Sequence, residues 1–314
     1  MNKVIVSGPT GCIGQAILNT AINQQIEIYA ICHPDSLRNM SIPRHSLVHI
    51  IEADLSQLLS AKDMLPDDCE VFYHLGWAGC VPELRNDMDV QAANIRYTLD
   101  AVRLAQACGC HTFVGAGSQA EYGRVEGLLR PDTPAFPEIG YGMAKLCAGQ
   151  MSRVLAHQLG LKHVWARILS VYGPYDSEHT MIMSAIRSLL NGQKPSFTKG
   201  EQLWDYLYSV DAAGILLALG SERSVDGAVY CVGSGQVLPL KSYIEIIRDS
   251  IDPQLPLGIG DIPYSENQVM HLCADTTAIV RDLGYSYRFD FLEGIKATIE
   301  WYKQMRGKTI SETR

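Results

Sequence analysis

The sequence predicts an α/β protein built around a doubly wound parallel sheet, with a smaller lobe of mixed α/β structure towards the C-terminus. Three observations lead to this fold. Short apolar runs alternate with stretches of helical periodicity through the first two-thirds of the chain, which is the pattern of parallel βαβ units. The first run, Lys3–Val6, passes straight into a glycine-rich turn. After Gly173 and Pro174 the alternation stops, and proline and glycine become frequent.

The central sheet is predicted from apolar runs of strand length. A helix is expected from about Ile13, directly after the first strand, and the spacing of Ile95 and Leu99 predicts another. Further buried strands are expected at Glu27–Cys32, Val48–Glu52, Val71–Leu75, Thr112–Ala116 and Val164–Ile168.

The C-terminal third is predicted to begin with a helix at about Met181–Leu190. Tyr206–Val210 and Val229–Val232 are expected to be strands that return to the central sheet, and Gln236–His271 is rich in proline and glycine. The predicted sheet domain therefore comprises residues 1–174 with returning elements at about 204–235. The smaller lobe comprises residues 175–203 and 236–314.

Composition excludes several classes of protein. The 314 residues are 47% hydrophobic and 19% charged, which excludes a disordered or fibrous chain. A formal net charge of −8 is unlike that of nucleic-acid or anionic-membrane binders. Nine cysteines without a CxxC pair indicate reduced thiols rather than zinc or disulfides, and no signal peptide or membrane-spanning run is evident. We expect a cytoplasmic protein without a metal, nucleic-acid or membrane partner.

Three glycines follow the first strand and open the next helix. In this arrangement the first allows a tight turn, the second lets the backbone approach a pyrophosphate, and the third lets helix pack on strand. The amides at the helix N-terminus then face the phosphates. The predicted phosphate-binding residues are Gly8, Thr10, Gly11, Cys12, Ile13 and Gly14.

The end of the second strand bears on the choice of cofactor. An acidic residue there would bind the ribose hydroxyls of NAD, but this chain has Cys32 and His33 at that place. Beyond them, Ser36 and Arg38 can bind a 2′-phosphate, since a guanidinium matches phosphate geometry. The sequence favours NADP(H), with NAD(H) as the alternative. The expected contacts of the adenosine half are His33, Ser36, Arg38, Asp54 and Leu55.

A candidate catalytic set lies further along the chain. Tyr141 and Lys145 are four residues apart and share one helix face. A neighbouring cation lowers the pKa of a phenol and makes it a usable acid or base. Ser118 follows a buried strand, at the edge of the sheet where open α/β folds bind ligands.

Motifs spread over nearly the whole chain match one enzyme family: Gly8–Gly14, His74–Gly76, Asn94, Ser118 with Tyr122 and Gly123, Tyr141–Lys145, Arg167–Pro174, Trp204–Asp211 and Tyr230–Gly235. On these motifs the sequence resembles the extended short-chain dehydrogenase/reductases, which include nucleotide-sugar epimerases, dehydratases and 4-keto reductases. The resemblance implies an NAD(P)-binding Rossmann domain and a C-terminal substrate lobe.

The resemblance also implies roles for individual residues. Tyr141 would exchange a proton with a sugar hydroxyl or ketone, and Ser118 would hydrogen-bond the same oxygen. Lys145 would hold the nicotinamide ribose and lower the pKa of Tyr141, while the cofactor carries the hydride. Further cofactor contacts are expected at Leu75, Gly76, Asn94 and Ile168.

Departures from the family pattern narrow the reaction. The 4,6-dehydratases of the family follow the Ser or Thr with an acid/base pair, but here those positions are Gln119 and Ala120. Glu121 is one residue further on and is expected to point elsewhere unless the loop is shifted. Members that epimerise C3 and C5 have Cys at the Ala120 position, so His179 has no matching partner. A 4-keto reductase or a simple 4-epimerase remains.

The cofactor decides between these two. An epimerase retains NAD, whereas a reductase must exchange spent cofactor and commonly uses NADPH. We therefore expect a 4-keto reductase of a dTDP- or CDP-linked 4-keto-6-deoxyhexose. The alternative is a 4-epimerase of a UDP- or dTDP-sugar, and a 4,6-dehydratase or a non-catalytic NADP(H) sensor ranks below both.

The substrate side is less clear from sequence. Ser170 and Trp204 stand where epimerases of the family usually have Asn and often Arg, which leaves the diphosphate contacts open. The indoles of Trp77 and Trp204 either line the pocket or belong to the core, and Gln268 lies in the small lobe. The expected substrate contacts are Trp77, Ser118, Glu121, Tyr141, Ser170, Trp204 and Gln268. The resemblance further implies a homodimer built from the helices at Tyr141–Leu155 and about Asp89–Ala107.

Overall fold

The computed structural model describes the backbone of residues 1–312 and the side chains of residues 1–306. The strands are β1 (Lys3–Ser7), β2 (Glu27–Cys32), β3 (Val48–Glu52), β4 (Val71–His74), β5 (Thr112–Ser118), β6 (Lys162–Ile168), β7 (Ser170–Tyr172), β8 (Ser196–Phe197), β9 (Leu203–Trp204), β10 (Tyr206–Tyr208), β11 (Ala228–Val232), β12 (Leu238–Pro239), β13 (Gly258–Ile259) and β14 (His271–Leu272). The helices are α1 (Cys12–Asn23), α2 (Met88–Ala107), α3 (Gly140–Gln158), α4 (Met181–Leu190), α5 (Ser209–Ser221), α6 (Leu240–Asp249), α7 (Thr277–Leu283) and α8 (Phe291–Glu312). Short 3₁₀ segments occur at Leu37–Ser41, Leu55–Met64, Pro82–Leu84 and Gln119–Glu121.

Seven strands form one sheet in the order β3-β2-β1-β4-β5-β6-β11, and every pair in it is parallel. The order changes direction between β1 and β4. Their carboxyl ends, at Ser7 and His74, are register partners beside the crevice where open α/β sheets bind ligands. The predicted doubly wound parallel sheet is confirmed.

Helices cover both faces of this sheet. α1 and α5 pack together on one face, and α2 and α3 pack together on the other. Val4 and Val6 point into the first layer and Ile5 into the second, as the alternation of side chains along a strand requires. A separate apolar cluster in the C-terminal lobe joins α4, α6 and α8 through Ile186, Ile244 and Ile295. No helix of the described residues combines the length and hydropathy needed to cross a bilayer.

One strand prediction is wrong in length and in place. Only Tyr206–Tyr208 is extended, because Ser209 and Val210 already belong to α5. α5 is buried over most of its surface, and an apolar run that leads into such a helix looks like one continuous strand. β10 also does not return to the central sheet. It pairs with β7 in a small parallel sheet of two strands, so β11 alone of the two expected strands joins the centre.

Candidate active site

The glycine loop after β1 has the geometry of a phosphate cradle. Gly8 has a left-handed backbone (φ 73°), and a Cβ on it would lie 2.8 Å from the amide nitrogen of Gly76. A Cβ on Gly14 would overlap the Gly8 carbonyl oxygen. α1 begins after Gly11, which has no side chain to cap the first amides. The close backbone approach and the uncapped helix end fit the pyrophosphate of a dinucleotide.

A buried polar contact holds β1 and β4 together at this crevice. Ser7 Oγ accepts a hydrogen bond from the Gly76 amide (3.3 Å) and bonds His74 Nδ1 (2.8 Å). Burial, followed by the charge of Lys145, lowers the pKa of His74 to about 3, so its imidazole is neutral. His74 is therefore a neutral link within the core, and Ser7, which it bonds, holds the Gly76 amide near Gly8.

Two buried amide side chains of α2 shape the loop that follows β4. Asn94 accepts a hydrogen bond from the Ala78 amide and donates to the Ala78 carbonyl (2.8 and 2.9 Å). Gln91 accepts from Trp77 Nε1 (2.9 Å) and donates to the carbonyls of Gly79 and Leu84. Asn94, expected as a cofactor contact, is only 1% exposed and does not line the cleft. Its amide is used by the two bonds to Ala78 and a third to the Val90 carbonyl of its own helix.

The N-terminus of α3 is tied to the same loop. The Tyr141 amide donates to the Arg85 carbonyl (2.8 Å), and the Gly140 amide donates to Asn86 Oδ1 (2.9 Å). The Arg85 guanidinium lies 5.3 Å from the centre of the Tyr141 ring. Lys145, one turn along the helix, donates to the Ala116 carbonyl (2.7 Å). The loop after β4 thus positions Tyr141, and β5 positions Lys145.

The aromatic ring of Trp77 contacts both Lys145 and Tyr141. Lys145 Nζ is 3.7 Å from the centre of the indole, a cation–π contact, and the Tyr141 ring meets the indole edge-on at 6.0 Å. Trp77 also lines the cleft. Of the two alternatives left open for this residue, the structure places it in the pocket wall.

Burial dominates the electrostatics of Tyr141. It raises the pKa of the phenol, and the nearby Cys80 adds to this; a hydrogen bond from Ser118 and the charge of Arg85 act in the opposite direction. We expected Lys145 to lower this pKa, but in the structure Ser118 and Arg85 are the groups that do so. Burial lowers the pKa of Lys145 itself to about 8, so its ammonium remains mostly protonated at neutral pH.

These elements enclose a cleft of about 540 Å³ that runs from the glycine loop to the C-terminal lobe. Trp204 Nε1 donates to Ser170 Oγ (2.8 Å), so these two residues form one wall of it. The predicted site residues that line the cleft are Gly8, Gly11, Cys12, Ile13, Gly14, Leu75, Trp77, Ser118, Tyr141, Lys145, Ile168, Ser170 and Trp204.

The predicted adenosine contacts lie beside the cleft rather than in its wall. Arg38 Nη2 donates to the Thr10 carbonyl (2.8 Å), which puts its guanidinium next to the glycine loop. Ser36 accepts from the Arg38 amide. His33 Nε2 is 3.2 Å from Asp54 Oδ2. Leu55 packs beside Gly76, close to the same loop.

Two expected substrate contacts do not reach the cleft. Glu121 is fully buried behind Ser118, and its carboxylate is paired with Arg167 (2.7 Å). Because β5 continues to Ser118 and a 3₁₀ turn follows, Glu121 points back into the protein. Gln268 lies in the chain before β14, where its side chain donates to the neighbouring Val269 carbonyl.

Several lining residues were not singled out as site residues from the sequence. Cys80 and Arg85 reach the catalytic end through the loop after β4, and Asp176 lies at the glycine-loop end. Burial raises the pKa of Asp176 to about 6, against hydrogen bonds from Thr180 and Ser177. Gln119 and Ala120 also line the cleft, which puts the two departures from the dehydratase pattern beside Ser118.

We expect Arg85→Met to move the pH dependence of turnover upward. Removing the guanidinium removes a charge that lowers the pKa of Tyr141, so the midpoint assigned to this phenol rises in either reaction direction. The measurement is kcat against pH. Arg85→Lys keeps a cation and serves as the control. A midpoint that stays in place in Arg85→Met contradicts the assignment of that midpoint to Tyr141.

The glycine loop at the switch point and the Ser/Tyr/Lys set beyond it define an extended short-chain dehydrogenase/reductase. The chain belongs to the NAD-dependent epimerase/dehydratase family, whose model matches residues 4–233. This membership confirms the resemblance seen in the sequence and makes the protein an enzyme of the epimerase/dehydratase type.

The identity to individual relatives is low. The chain is 26% identical to dTDP-glucose 4,6-dehydratase of Streptomyces griseus, over 96% of this chain and 94% of that protein. The dTDP-glucose 4,6-dehydratase of Streptomyces niveus is 29% identical, but the match spans 62% of this chain and 58% of that protein. UDP-N-acetylglucosamine 4-epimerase from Methanobrevibacter ruminantium M1, solved with UDP-N-acetylmuramic acid, superposes with a TM-score of 0.86 at 22% identity, over 97% of this chain and 99% of that one.

Proposed function

We propose that the protein is a 4-keto reductase that acts on a nucleotide-linked 4-keto-6-deoxyhexose, with dTDP or CDP as the nucleotide. The observation that carries this is the composition of the cleft at Ser118. Ser118, Tyr141 and Lys145 come together there, while the next two positions are Gln119 and Ala120. Hydride and hydroxyl-proton transfer at C4 need only the first three.

In the proposed reaction, three side chains act at C4 of the sugar. The Tyr141 phenol gives its proton to the C4 oxygen, and the Ser118 hydroxyl donates a hydrogen bond to the same oxygen. Lys145 places a positive charge in the cleft wall beside Tyr141. In this proposal it also contacts the nicotinamide ribose. The nicotinamide, when bound, supplies the hydride to C4. Trp77 and Trp204 present flat apolar walls to the sugar and its nucleotide.

A 4,6-dehydratase is disfavoured by the position of Glu121. That reaction needs an acid to protonate the C6 leaving group and a base at C5. Glu121 is the carboxylate nearest to Ser118 in sequence, but it is buried and already accepts three hydrogen bonds. Gln119 and Ala120 supply neither an acid nor a base.

The cofactor separates reductase from epimerase. Arg38 beside the glycine loop and the absence of an acid at the end of β2 support NADP(H), as a reductase would use. Membership of an NAD-dependent family favours the second candidate, a UDP- or dTDP-sugar 4-epimerase that retains NAD.

We expect Arg38→Met to weaken NADPH binding by about 10- to 100-fold, since a charge-assisted hydrogen bond to a phosphate is lost. NADH affinity should change by less than about 3-fold. Titration of both cofactors into the protein measures this. An equal loss for both would show that Arg38 acts only through its bond to the Thr10 carbonyl, and the preference for NADP(H) would then be withdrawn.

The reaction itself is tested by denaturing purified protein, identifying any released nicotinamide, and then assaying turnover. The reductase predicts an exchangeable cofactor and conversion of dTDP- or CDP-4-keto-6-deoxyglucose with NADPH. If the protein instead retains NAD tightly and interconverts C4 epimers, the proposed reductase is wrong and the protein is the 4-epimerase.

We also propose a homodimer through α2 and α3. These helices pack side by side on one face of the sheet. α3 exposes the apolar side chains of Met143, Met151 and Val154, and α2 exposes Met88 at its first position.

A further inference from the structure

A buried hydrogen-bond network lies directly behind the catalytic serine. Glu121 Oε1 accepts from the Ser118 amide (2.8 Å) and from Trp165 Nε1 (2.9 Å). Glu121 Oε2 accepts from Arg167 Nε (2.7 Å). Glu121 and Arg167 are 0% and 4% exposed, so this ion pair is removed from water. The carboxylate therefore holds the Ser118 backbone from behind while the Ser118 side chain faces the cleft.

The indole of Trp165 fits a slot that three glycines leave open. A Cβ on Gly115 or Gly117 of β5, or on Gly149 of α3, would overlap the indole. Trp165 thus occupies the space between the strand that carries Ser118 and the helix that carries Tyr141. The close packing fixes the distance between the two elements and aims Trp165 Nε1 at Glu121.

Two further contacts hold the guanidinium of Arg167. Its guanidinium lies 4.4 Å from the centre of the Tyr122 ring, and Nη1 donates to the Pro131 carbonyl (3.3 Å). Tyr122 in turn donates to the Arg130 carbonyl (2.7 Å). The guanidinium therefore has little freedom to follow a displaced Glu121, and the pair is rigid.

A buried ion pair of this kind is a weak source of stability, because desolvation of both charges offsets their attraction. Replacing such a pair with apolar side chains of similar size is often neutral or stabilising. We infer that Glu121, held by Trp165 and Arg167, is a positioning residue that fixes Ser118 for its hydrogen bonds to Tyr141 and to the substrate oxygen. This inference rests on the proposed roles of Ser118 and Tyr141.

The test uses the double variant Glu121→Met/Arg167→Met, which removes the carboxylate without leaving an unpaired buried charge. We expect kcat to fall by about 10- to 100-fold, as small displacements of a catalytic group do. Cofactor affinity should stay within about 2-fold, because the network does not touch the glycine loop. Loss of the Ser118 hydrogen bond raises the pKa of Tyr141 and loss of the Glu121 charge lowers it, so kcat itself, rather than its pH midpoint, is the readout. Cys80 and Arg85, the other groups that act on this phenol, are unchanged.

The decisive comparison repeats the double variant in a Ser118→Ala background. If Glu121 acts through Ser118, the double substitution costs less than about 2-fold there, because the group it positions is already gone. An equal loss of kcat in both backgrounds, or no loss in the wild-type background, overturns the inference.

A matched control addresses general damage to the core. The His163 ring lies parallel to the Trp165 indole (8° between planes) and bonds Ser152, but it does not bond Glu121. His163→Phe should lower Tm while leaving kcat within about 2-fold. A loss of kcat in His163→Phe as large as that in the double variant would make the network merely structural and overturn the inference.

The role of Glu121 in positioning Ser118 can be tested even if the proposed reductase activity is wrong. If the wild-type protein turns over none of the substrates, amide hydrogen exchange at Ser118 provides the readout. Protection of this amide in the wild type and its loss in the double variant, with the rest of β5 unchanged, support the inference. Equal exchange in both proteins contradicts it.

Discussion

Tyr141→Phe is expected to lower kcat by about 10³-fold or more, which is the upper part of the range for losing a general acid or base. The substitution removes only the hydroxyl and keeps the ring that packs edge-on to Trp77 and faces Arg85. Fold and cofactor binding should therefore survive. The loss falls on turnover because the phenol is the group assigned to proton exchange with the C4 oxygen.

The measurement is steady-state kcat together with a cofactor titration. Tyr230→Phe is the matched control, because the Tyr230 hydroxyl donates to Asp282 (2.8 Å), away from the cleft. It should retain kcat within about 2-fold. Turnover by Tyr141→Phe within about 10-fold of the wild-type rate would remove the phenol from its assigned role.

Gly8→Ala is expected to weaken cofactor affinity by on the order of 100-fold, equal to about 2.7 kcal/mol. Two effects add. The left-handed backbone at φ 73° costs about 1–2 kcal/mol for a residue with a Cβ. The Cβ would also lie 2.8 Å from the Gly76 nitrogen, so the glycine loop must move away from the end of β4. That movement would displace the amides that are expected to face the phosphates.

Gly160→Ala separates the two effects. Gly160 has nearly the same backbone conformation (φ 74°), but a Cβ there would have no atom within 4 Å. It should lose stability comparable to the backbone strain of Gly8→Ala and keep full cofactor affinity. Calorimetric titration of NADPH and NADH, with Tm measured in parallel, tests this. Equal cofactor affinity in Gly8→Ala and wild type would contradict the proposed phosphate site.

Much of the fold could be predicted from the sequence because its signals are local. The strands of the sheet are apolar runs, and the glycines at 8, 11 and 14 mark the turn between β1 and α1. The strand at Tyr206–Tyr208 shows the limit. Its length was overestimated because the apolar run continues into the buried α5, and its partner, β7, is chosen by tertiary packing rather than by local pattern.

In the candidate site, too, some residues could be predicted from the sequence and others depend on tertiary contacts. Ser118, Tyr141 and Lys145 carry a recognisable spacing, and the structure brings them to one cleft. Cys80 and Arg85 reach that cleft because Gln91 and Asn94 fold the intervening loop, and no spacing in the sequence reports such contacts. The sequence predicts Glu121 as a substrate contact, because the position of a residue in a motif does not give the direction of its side chain. The glycines that make room for its partner Trp165 lie on β5 and α3, which are distant in sequence, so no local pattern reports them.

The central claim is that hydride moves between a nicotinamide and C4 of a nucleotide-linked sugar. The most direct test supplies NADPH carrying deuterium on the transferred face of C4, with a dTDP- or CDP-4-keto-6-deoxyhexose as substrate. We predict a product that contains one deuterium, located at C4 of the sugar by NMR, and no such product from Tyr141→Phe. A reduced product without deuterium at C4, or deuterium at another carbon, would contradict the account.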